Sequence, residues 1–135
     1  MVGVLITGGA GYIGSHVCTA LARDGYTPVT YDTLEIGRQC AVKLGPLEIG
    51  NIRDGRRQFG VIKKHQLTEF VHCAAYIQVA ESVAYPEKYH ANNVVGTLTL
   101  LEGMRGNGLD SIVFSSSAAA FGLTPPAPVT ENFRR

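Results

Sequence analysis

The chain has 135 residues, of which 45% are hydrophobic and 17% charged, the size and composition of one globular domain with a buried core. Its formal net charge is +1, so no overall field draws it to nucleic acid or to an anionic membrane. It has no apolar run of the roughly 18 residues that a membrane span needs, and we expect no secretory signal. Three cysteines without a C-x-x-C spacing favour a reduced, cytoplasmic compartment.

The first predicted elements form a strand followed by a helix. Residues 2–6 are an apolar run that predicts a strand, and residues 11–24 show helical spacing that ends at Gly25. The residues expected on the inner face of this helix are Ile13, Val17, Ala20 and Leu21.

The next predicted elements are two short strands and a second helix. The strands lie at residues 28–31 and 47–49, separated by the longest loop of the sequence. Asp54 is expected to cap a helix that turns Phe59 and Ile62 inward.

Two more strands are predicted at residues 68–73 and 111–115, and the Pro-rich stretch at 124–128 predicts a surface loop. A helix lies between the two strands, and its expected inner face carries Val94, Leu98, Leu101 and Met104. Five strands that alternate with helices predict an α/β fold with a doubly wound parallel sheet of the Rossmann type. The expected strand order is 3-2-1-4-5, with a ligand crevice at the carboxyl ends of the strands.

The first motif with chemical content is TGGAGYIGSH at residues 7–16. Gly9, Gly11 and Gly14 satisfy G-x-G-x-x-G, and Gly8 begins the wider pattern G-x-x-G-x-x-G. Glycines here allow a tight turn and let the backbone approach a pyrophosphate, whose negative charge is favoured at the N-terminus of the following helix. Because the motif lies between a predicted strand and a predicted helix, it predicts a dinucleotide site.

Asp32 follows the second predicted strand, 18 residues after Gly14, close to the spacing of about 20 expected for a carboxylate that accepts ribose hydroxyls. Its charge would repel a 2′-phosphate, and the nearest basic residue after it is Arg38. The sequence therefore favours NAD over NADP. The alternative is a glycine-rich turn that binds nothing, with Asp32 capping a turn or a helix.

Further segments match one family in order and spacing. They are VLITGGAGYIGSH, YDTL, GNIRD, VHCAA, ESVAYPEKYHANNVVGTLTLL and IVFSSSAAAFG. In these segments the chain resembles the extended short-chain dehydrogenase/reductases, and among them the UDP-glucose 4-epimerases. The resemblance corresponds to the N-terminal part of the family's length. It implies an NAD-binding domain over residues 1–135, truncated before a sixth strand and a C-terminal substrate domain.

The resemblance also implies which residues hold the cofactor. Asn51 and Ile52 occupy the place where the family holds the adenine, residues 73–75 lie where its backbone meets the pyrophosphate and ribose, and Asn92 faces the nicotinamide side. Taken alone, Asn92 could be an interior or capping polar group. Together with the glycine turn, the predicted cofactor residues are Gly8, Gly11, Tyr12, Ile13, Gly14, Asp32, Asn51, Ile52, Cys73, Ala74, Ala75, Asn92 and Ser115.

Two positions depart from the family's pattern. Asn51 replaces the usual aspartate, so that a bond to the adenine amine would lose charge assistance. Ile77 replaces a lysine that many epimerases place near the cofactor ribose, and that contact is absent unless another residue supplies it. We therefore expect this chain to bind NAD weakly.

The strand end VFSSSAAAFG carries the predicted catalytic residue, Ser117. By resemblance, its hydroxyl bonds the sugar 4-OH and assists a tyrosine that acts as general base while NAD accepts the C4 hydride. The resulting 4-keto sugar turns over and takes the hydride back on its other face. Ala118 and Ala119 lie where related dehydratases carry an Asp-Glu pair, so dehydration is disfavoured. Taken alone, the serines could be capping hydroxyls.

The sequence contains no Tyr-x-x-x-Lys, so the partners of Ser117 are missing from it. Two interpretations follow. The first is an NAD-dependent UDP-glucose 4-epimerase, an isomerase of galactose metabolism, present as an N-terminal fragment that is inactive alone. The second is a non-catalytic or degenerate NAD-binding module. An interaction module is less favoured; it would use the basic residues Arg56, Arg57, Lys63 and Lys64, which are typical of a solvated helix face.

The expected partner is a UDP-hexose whose pocket is incomplete here, with no nucleic acid and no membrane. The resemblance implies that full-length relatives are homodimers, and we expect uncovered apolar surface to make this chain self-associate. No metal is expected, because His16 and His72 have no carboxylate or cysteine partner at ligand spacing.

Overall fold

The structure is a computed structural model that describes residues 2–122 and 128–132. Five strands form one parallel sheet in the predicted order β3-β2-β1-β4-β5. The strands are β1 Gly3–Thr7, β2 Thr27–Asp32, β3 Leu47–Ile49, β4 Leu67–His72 and β5 Ile112–Phe114. Most of the predicted Pro-rich loop at 124–128 lies outside the described residues.

The helices cover both faces of the sheet. They are α1 Tyr12–Arg23, α2 Gly55–His65, α3 Val79–Ala84, α4 Pro86–Tyr89 and α5 Gly96–Gly106. A π-helical turn, His90–Val95, joins α4 to α5, and short 3₁₀ turns lie at Gln39–Ala41 and Ala118–Phe121. The sequence does not predict α3 and α4, and the predicted helix that carries Val94 begins within the π-helical turn.

Alternation along the central strand β1 divides the core in two. Leu5 points to the side of α2 and α5, where the larger cluster includes Tyr31, Phe70 and Leu100. Val4 and Ile6 point to the opposite side and pack against Cys18 of α1, in a smaller cluster. Because both faces of the sheet are covered, β1 is buried from Val4 to Thr7, as expected for a central parallel strand.

The helix α2 begins as predicted but buries a different face. The side chain of Asp54 accepts a hydrogen bond from the backbone N–H of Arg57 at 2.9 Å, which confirms the predicted cap. The predicted inward orientation of Phe59 is wrong, because its side chain is exposed and Lys63 Nζ lies 4.4 Å from its ring centroid. The buried face of α2 consists of Gln58, Val61 and Ile62.

The predicted inner face of α5 is also wrong for most of its residues. The side chains predicted there but found exposed are those of Val94, Leu98 and Leu101, and α1 likewise exposes Ile13 and Ala20. The buried residues of α5 are Gly96, Leu100 and Met104. A Cβ at Gly96 would lie 2.6 Å from the side chain of Ile52, so the missing side chain lets α5 pack closely against the loop between β3 and α2.

Glu48 of β3 ties α2 to the edge of the sheet. Its buried carboxylate pairs with Arg57 at 2.7 Å, Lys64 at 2.6 Å and His65 at 2.7 Å. Two of the four basic residues considered for an interaction surface therefore serve an ion cluster within the fold. The hydrogen bond from His65, followed by that from Lys64, lowers the pKa of Glu48 to about 2.

Candidate nucleotide-binding site

A cavity of about 410 Å³ lies at the carboxyl ends of β1, β2 and β4, where a doubly wound sheet carries its ligand crevice. All the predicted cofactor residues line it except Asn51 and Ser115. The predicted cofactor residues that line the cavity are Gly8, Gly11, Tyr12, Ile13, Gly14, Asp32, Ile52, Cys73, Ala74, Ala75 and Asn92.

The glycine turn between β1 and α1 has a backbone that requires glycine. Gly8 has φ +71°, and a Cβ there would lie 2.8 Å from the backbone nitrogen of Ala74. A Cβ at Gly14 would overlap the carbonyl oxygen of Gly8. A Cβ at Gly11 meets only the Gly8 carbonyl within 4 Å. The turn is therefore packed tightly on the sheet side and open on the cavity side, which fits an approaching pyrophosphate at a helix N-terminus.

Asp32 joins the glycine turn to the loop that follows β2. Its Oδ2 accepts a hydrogen bond from the Ala10 N–H at 3.1 Å, and its Oδ1 accepts one from the Leu34 N–H at 2.9 Å. This second bond holds Leu34 in a left-handed conformation with φ +61°. Each carboxylate oxygen retains acceptor capacity toward the cavity, so Asp32 can still accept ribose hydroxyls.

The loop after β3 is fixed by Tyr31, whose hydroxyl donates to the Asn51 carbonyl at 3.0 Å. Burial, with a smaller effect of the Asp54 charge, raises the pKa of Tyr31 to about 12, so this hydroxyl stays a donor. Ile52 is buried beside the cavity, whereas the Asn51 side chain turns back toward Arg53. Asn51 Oδ1 accepts from the Arg53 backbone N–H at 2.9 Å and from Arg53 Nε at 3.3 Å.

A second cavity, of about 380 Å³, adjoins the first and shares residues 73–77 with it. Ser115 and Ser117 line this cavity at the end of β5. Ser117 Oγ accepts a hydrogen bond from the Ala119 N–H at 3.2 Å and begins the 3₁₀ turn. Because that bond uses only an acceptor site, the hydroxyl proton remains available to a ligand.

His72 links the ends of β1 and β4 to α5. Its Nδ1 lies 2.5 Å from the Thr7 hydroxyl, and its Nε2 lies 2.9 Å from the Thr97 hydroxyl. The Thr97 hydroxyl donates its proton to the Asn93 carbonyl at 2.7 Å. His72 Nε2 must therefore be the donor to Thr97, and Nδ1 accepts from Thr7. Burial lowers the pKa of His72 to about 4, so this imidazole is neutral at pH 7.

The π-helical turn directs two adjacent asparagines toward the site. Asn92 lines the first cavity and Asn93 the second, and Asn92 Nδ2 donates to Asn93 Oδ1 at 3.0 Å. Asn93 also holds the loop after β4, because its amide accepts from the Tyr76 N–H and donates to the Tyr76 carbonyl, both at 2.9 Å. A π-helical turn within a helix is frequently found at a functional site.

The sequence prediction missed the loop that follows Asp32 and the aromatic residue that follows the VHCAA segment. Thr33, Glu35, Ile36 and Gly37 line the first cavity on one side, and Tyr76 lines it on the other. A signal was available, since these residues directly follow β2 and β4 at the ligand-binding edge of the sheet.

Cys73 lines both cavities. Burial, with a smaller effect of Cys18, raises the pKa of its thiol, which favours a neutral, small apolar lining group. Within residues 2–122 and 128–132, no three His, Cys, Asp or Glu side chains lie together as metal ligands could. Over the same ranges, none of the helices has the length and apolar character needed to cross a bilayer.

Comparisons with known proteins agree with this geometry. Residues 4–134 match the model of the NAD dependent epimerase/dehydratase family. The chain is 47% identical over 132 residues to a UDP-glucose 4-epimerase of Rhizobium meliloti, which covers 98% of this chain but 40% of that protein. A UDP-glucose 4-epimerase of Klebsiella pneumoniae is 39% identical over 137 residues, 99% of its own length.

Solved structures give the same result. The crystal structure of a UDP-glucose 4-epimerase from Brucella ovis in complex with NAD superposes with a TM-score of 0.93 at 41% identity, over 100% of this chain and 42% of that one. The epimerase of Thermus thermophilus, also solved with NAD, gives a TM-score of 0.89 at 32% identity. The chain therefore spans about 40% of the length of the Rhizobium relative and 42% of the Brucella chain.

Proposed function

We propose, on the premise that the chain belongs to the NAD dependent epimerase/dehydratase family, that it is the NAD-binding part of a UDP-glucose 4-epimerase. The whole enzyme would interconvert UDP-glucose and UDP-galactose through a 4-keto intermediate. The observation that carries the proposal is the 47% identity to the Rhizobium epimerase across 98% of this chain. That stretch includes the glycine turn, Asp32 and the serine strand end.

The residues of the first cavity suit NAD. The glycine turn offers backbone N–H groups and a helix N-terminus to the pyrophosphate, and Asp32 offers acceptors to the ribose hydroxyls. The 2′-phosphate of NADP would face this carboxylate, and the repulsion between the two negative charges is the basis for preferring NAD to NADP. Ile52, Ala74 and Ala75 supply small or apolar walls for the adenine and ribose.

Bound NAD would supply the hydride acceptor and donor of the reaction. Ser117 is proposed to bond the sugar 4-OH from the second cavity, which adjoins the first. Ala118 and Ala119 follow it and cannot transfer protons, which supports epimerisation over dehydration. The proposed enzyme is cytoplasmic, belongs to galactose metabolism, and uses residues 1–135 as its NAD-binding domain.

A non-catalytic NAD-binding module is the second candidate. Two observations favour it: the amide oxygen of Asn51 is engaged by Arg53 rather than directed to the adenine side, and Ile77 supplies no charge near the ribose. Both candidates require NAD binding, and they differ in whether a UDP-hexose is turned over.

Calorimetric titration of the 135-residue chain with NAD tests the shared part of the proposal. We expect weak binding of NAD and weaker binding of NADP. Asp32→Asn should reduce the difference between the two cofactors, because it removes the charge that opposes a 2′-phosphate. Asp110→Asn, at an exposed aspartate that lies outside both cavity linings, is the matched control. A chain that is folded by circular dichroism but gives no heat with NAD contradicts the proposal.

Turnover of UDP-galactose separates the two candidates. The 135-residue chain is expected to show none, because it contains no Tyr-x-x-x-Lys, and a measurable rate would contradict that expectation. The reading frame beyond codon 135 should be sequenced and any longer product assayed. Epimerase activity that falls in Ser117→Ala and persists in Ser116→Ala supports the epimerase, and an in-frame stop directly after codon 135 supports the module.

Self-association is a further part of the proposal. Val113 and Phe114 of β5 and Leu98 of α5 are at least half exposed, at 65%, 53% and 55%, and exposed apolar side chains of this kind favour association. For the longer product we propose a homodimer. A clean monomer of the 135-residue chain in light scattering at high concentration contradicts the self-association.

A further inference from the structure

We propose that Glu35 and Tyr76 form a strap across the nucleotide groove. A dinucleotide must pass this strap to enter or leave the groove, so the strap slows both steps. The proposal rests on the proposed NAD-binding function and adds two positioning residues to it. The Tyr76 hydroxyl donates a hydrogen bond to Glu35 Oε2 at 2.7 Å, although the two residues are 41 positions apart in the sequence. Both side chains line the first cavity.

Tyr76 is the fixed end of the strap. Its backbone N–H and carbonyl are both hydrogen-bonded to the Asn93 side chain at 2.9 Å. Its ring lies 5.5 Å from the ring of Tyr89, and Lys88 Nζ lies 4.6 Å from its centroid. Lys88 and Tyr89 are in turn both bonded to Glu81, at 2.8 and 2.7 Å. The ring of Tyr76 is thus held by α4, and only its hydroxyl reaches across the groove.

Glu35 is the mobile end in this proposal. It lies on the exposed loop after β2, and its carboxylate accepts the hydrogen bond from Tyr76 and interacts electrostatically with Lys88. Its backbone is positioned by a bond from its N–H to the Thr33 hydroxyl at 3.2 Å. Breaking the bond to Tyr76 would therefore free the Glu35 side chain without disturbing the packing of the tyrosine ring.

The path of the strap follows from the strand order. β2 and β4 lie on either side of β1 in the sheet, and Glu35 follows β2 whereas Tyr76 follows β4. A hydrogen bond between these two loops crosses the carboxyl end of β1, where the glycine turn would hold a pyrophosphate. A dinucleotide has one half at Asp32 and the other toward Asn92, so it extends on both sides of the crossing. A mononucleotide beside Asp32 does not.

This arrangement suits a reaction that regenerates its cofactor in every cycle, because such a reaction does not require NAD to leave. It would also prolong the residence of a nucleotide in a groove where Ile77 provides no charged contact to the ribose. A closed strap acts by blocking the path of the nucleotide, so it changes the rates of exchange and not the affinity.

Association and dissociation rates of the 135-residue chain test the strap, with the fluorescent 1,N6-etheno derivatives of NAD and AMP as matched probes. The variants are Tyr76→Phe, which keeps the packed ring, and Glu35→Met, which keeps the length of an exposed side chain but removes the carboxylate acceptor. Tyr26→Phe, a tyrosine that does not line the cavity, is the control. We expect each strap variant to raise both rate constants for etheno-NAD about threefold to tenfold, the effect of losing one hydrogen bond.

The double variant should be no faster than either single variant, because both changes remove the same bond. Exchange of etheno-AMP should change less than twofold. Unchanged etheno-NAD rates overturn the strap, and so does an equal change for both probes, which would show a direct contact to the adenosine. Either result leaves NAD binding intact. A wild-type chain that is folded but binds neither NAD nor etheno-NAD overturns the proposed function and the strap together.

Discussion

Lowering the pH from 7.5 to 5 should destabilise the chain through His72. This imidazole is 2% exposed, and both of its ring nitrogens are hydrogen-bonded, one to Thr7 and one to Thr97. A proton added to Nδ1 would face the Thr7 hydroxyl in a buried site with no carboxylate bonded to the ring. Unfolding releases the side chain into water, where protonation carries no such cost.

The magnitude follows from the pKa of His72 in the two states. Burial lowers it from 6.5 to about 4. Between these two values the unfolded chain binds a proton that the folded chain does not, so stability falls as the pH falls from about 6.5 toward 4. At pH 5 this difference corresponds to a loss of about 2 kcal/mol relative to pH 7.5.

Urea denaturation of wild type and His72→Gln at both pH values measures the effect. Glutamine can donate and accept but cannot titrate, so the stability difference between the two proteins should shrink by about 2 kcal/mol on going to pH 5. The Glu48 cluster does not interfere, because the pKa of Glu48 falls from 4.5 to about 2 on folding, below this pH range, and Glu48 is present in both proteins. His90→Gln, at an exposed histidine, is the control. A difference that stays constant within about 0.5 kcal/mol refutes the reasoning.

Three further changes test the framework of the fold. Glu48→Gln should lower the free energy of unfolding by about 2 to 3 kcal/mol at pH 7 in chemical denaturation, because it removes a buried carboxylate bonded to three basic groups. This difference from wild type should disappear as the pH falls from 4.5 toward 2. Lys64→Gln, at a side chain that is 64% exposed, should cost less than about 1 kcal/mol. Gly14→Ala should abolish NAD binding in calorimetry and lower stability by about 3 kcal/mol, since its Cβ would overlap a backbone carbonyl; Gly60→Ala, in open space on α2, should instead stabilise by about 0.5 to 1 kcal/mol. Gln66 ends α2 in a left-handed conformation with φ +51°, which glycine adopts at less cost than other residues. Gln66→Gly should therefore increase the free energy of unfolding by about 1 kcal/mol and raise the thermal midpoint, and Gln66→Ala should do neither.

The sheet could be predicted from the sequence because its information is local. Buried parallel strands are short apolar runs, and the glycine turn and Asp32 lie at their ends. These features place the first cavity correctly. They also explain why the predicted strand bounds differ from the structure by at most one residue.

The inner faces of the helices could not be predicted in the same way, because contacts with other elements determine which of their side chains are buried. In α2 the polar Gln58 is fully buried and donates to the Ile52 carbonyl, while Phe59 faces solvent. In α5 the buried Gly96, which has no side chain, allows the close contact with Ile52 in the loop after β3. A hydrophobic pattern cannot show that a glutamine and a glycine occupy the core positions. The pairing of Glu35 with Tyr76 is also invisible to it, since both residues lie in loops without periodicity.

Asp32 has two roles, one in the proposed contact with the ribose and one in holding the backbone of the site. The sequence identifies it by its spacing from the glycine motif as the residue for the ribose hydroxyls. In the structure its two oxygens also hold the Ala10 N–H of the glycine turn and the Leu34 N–H of the next loop. The same loop contains Glu35, whose carboxylate accepts the hydrogen bond from the Tyr76 hydroxyl. Changes at Asp32 would therefore alter both the ribose contact and the position of the strap, whereas Tyr76→Phe removes the strap alone. Comparing the two separates the direct hold on the nucleotide from its enclosure.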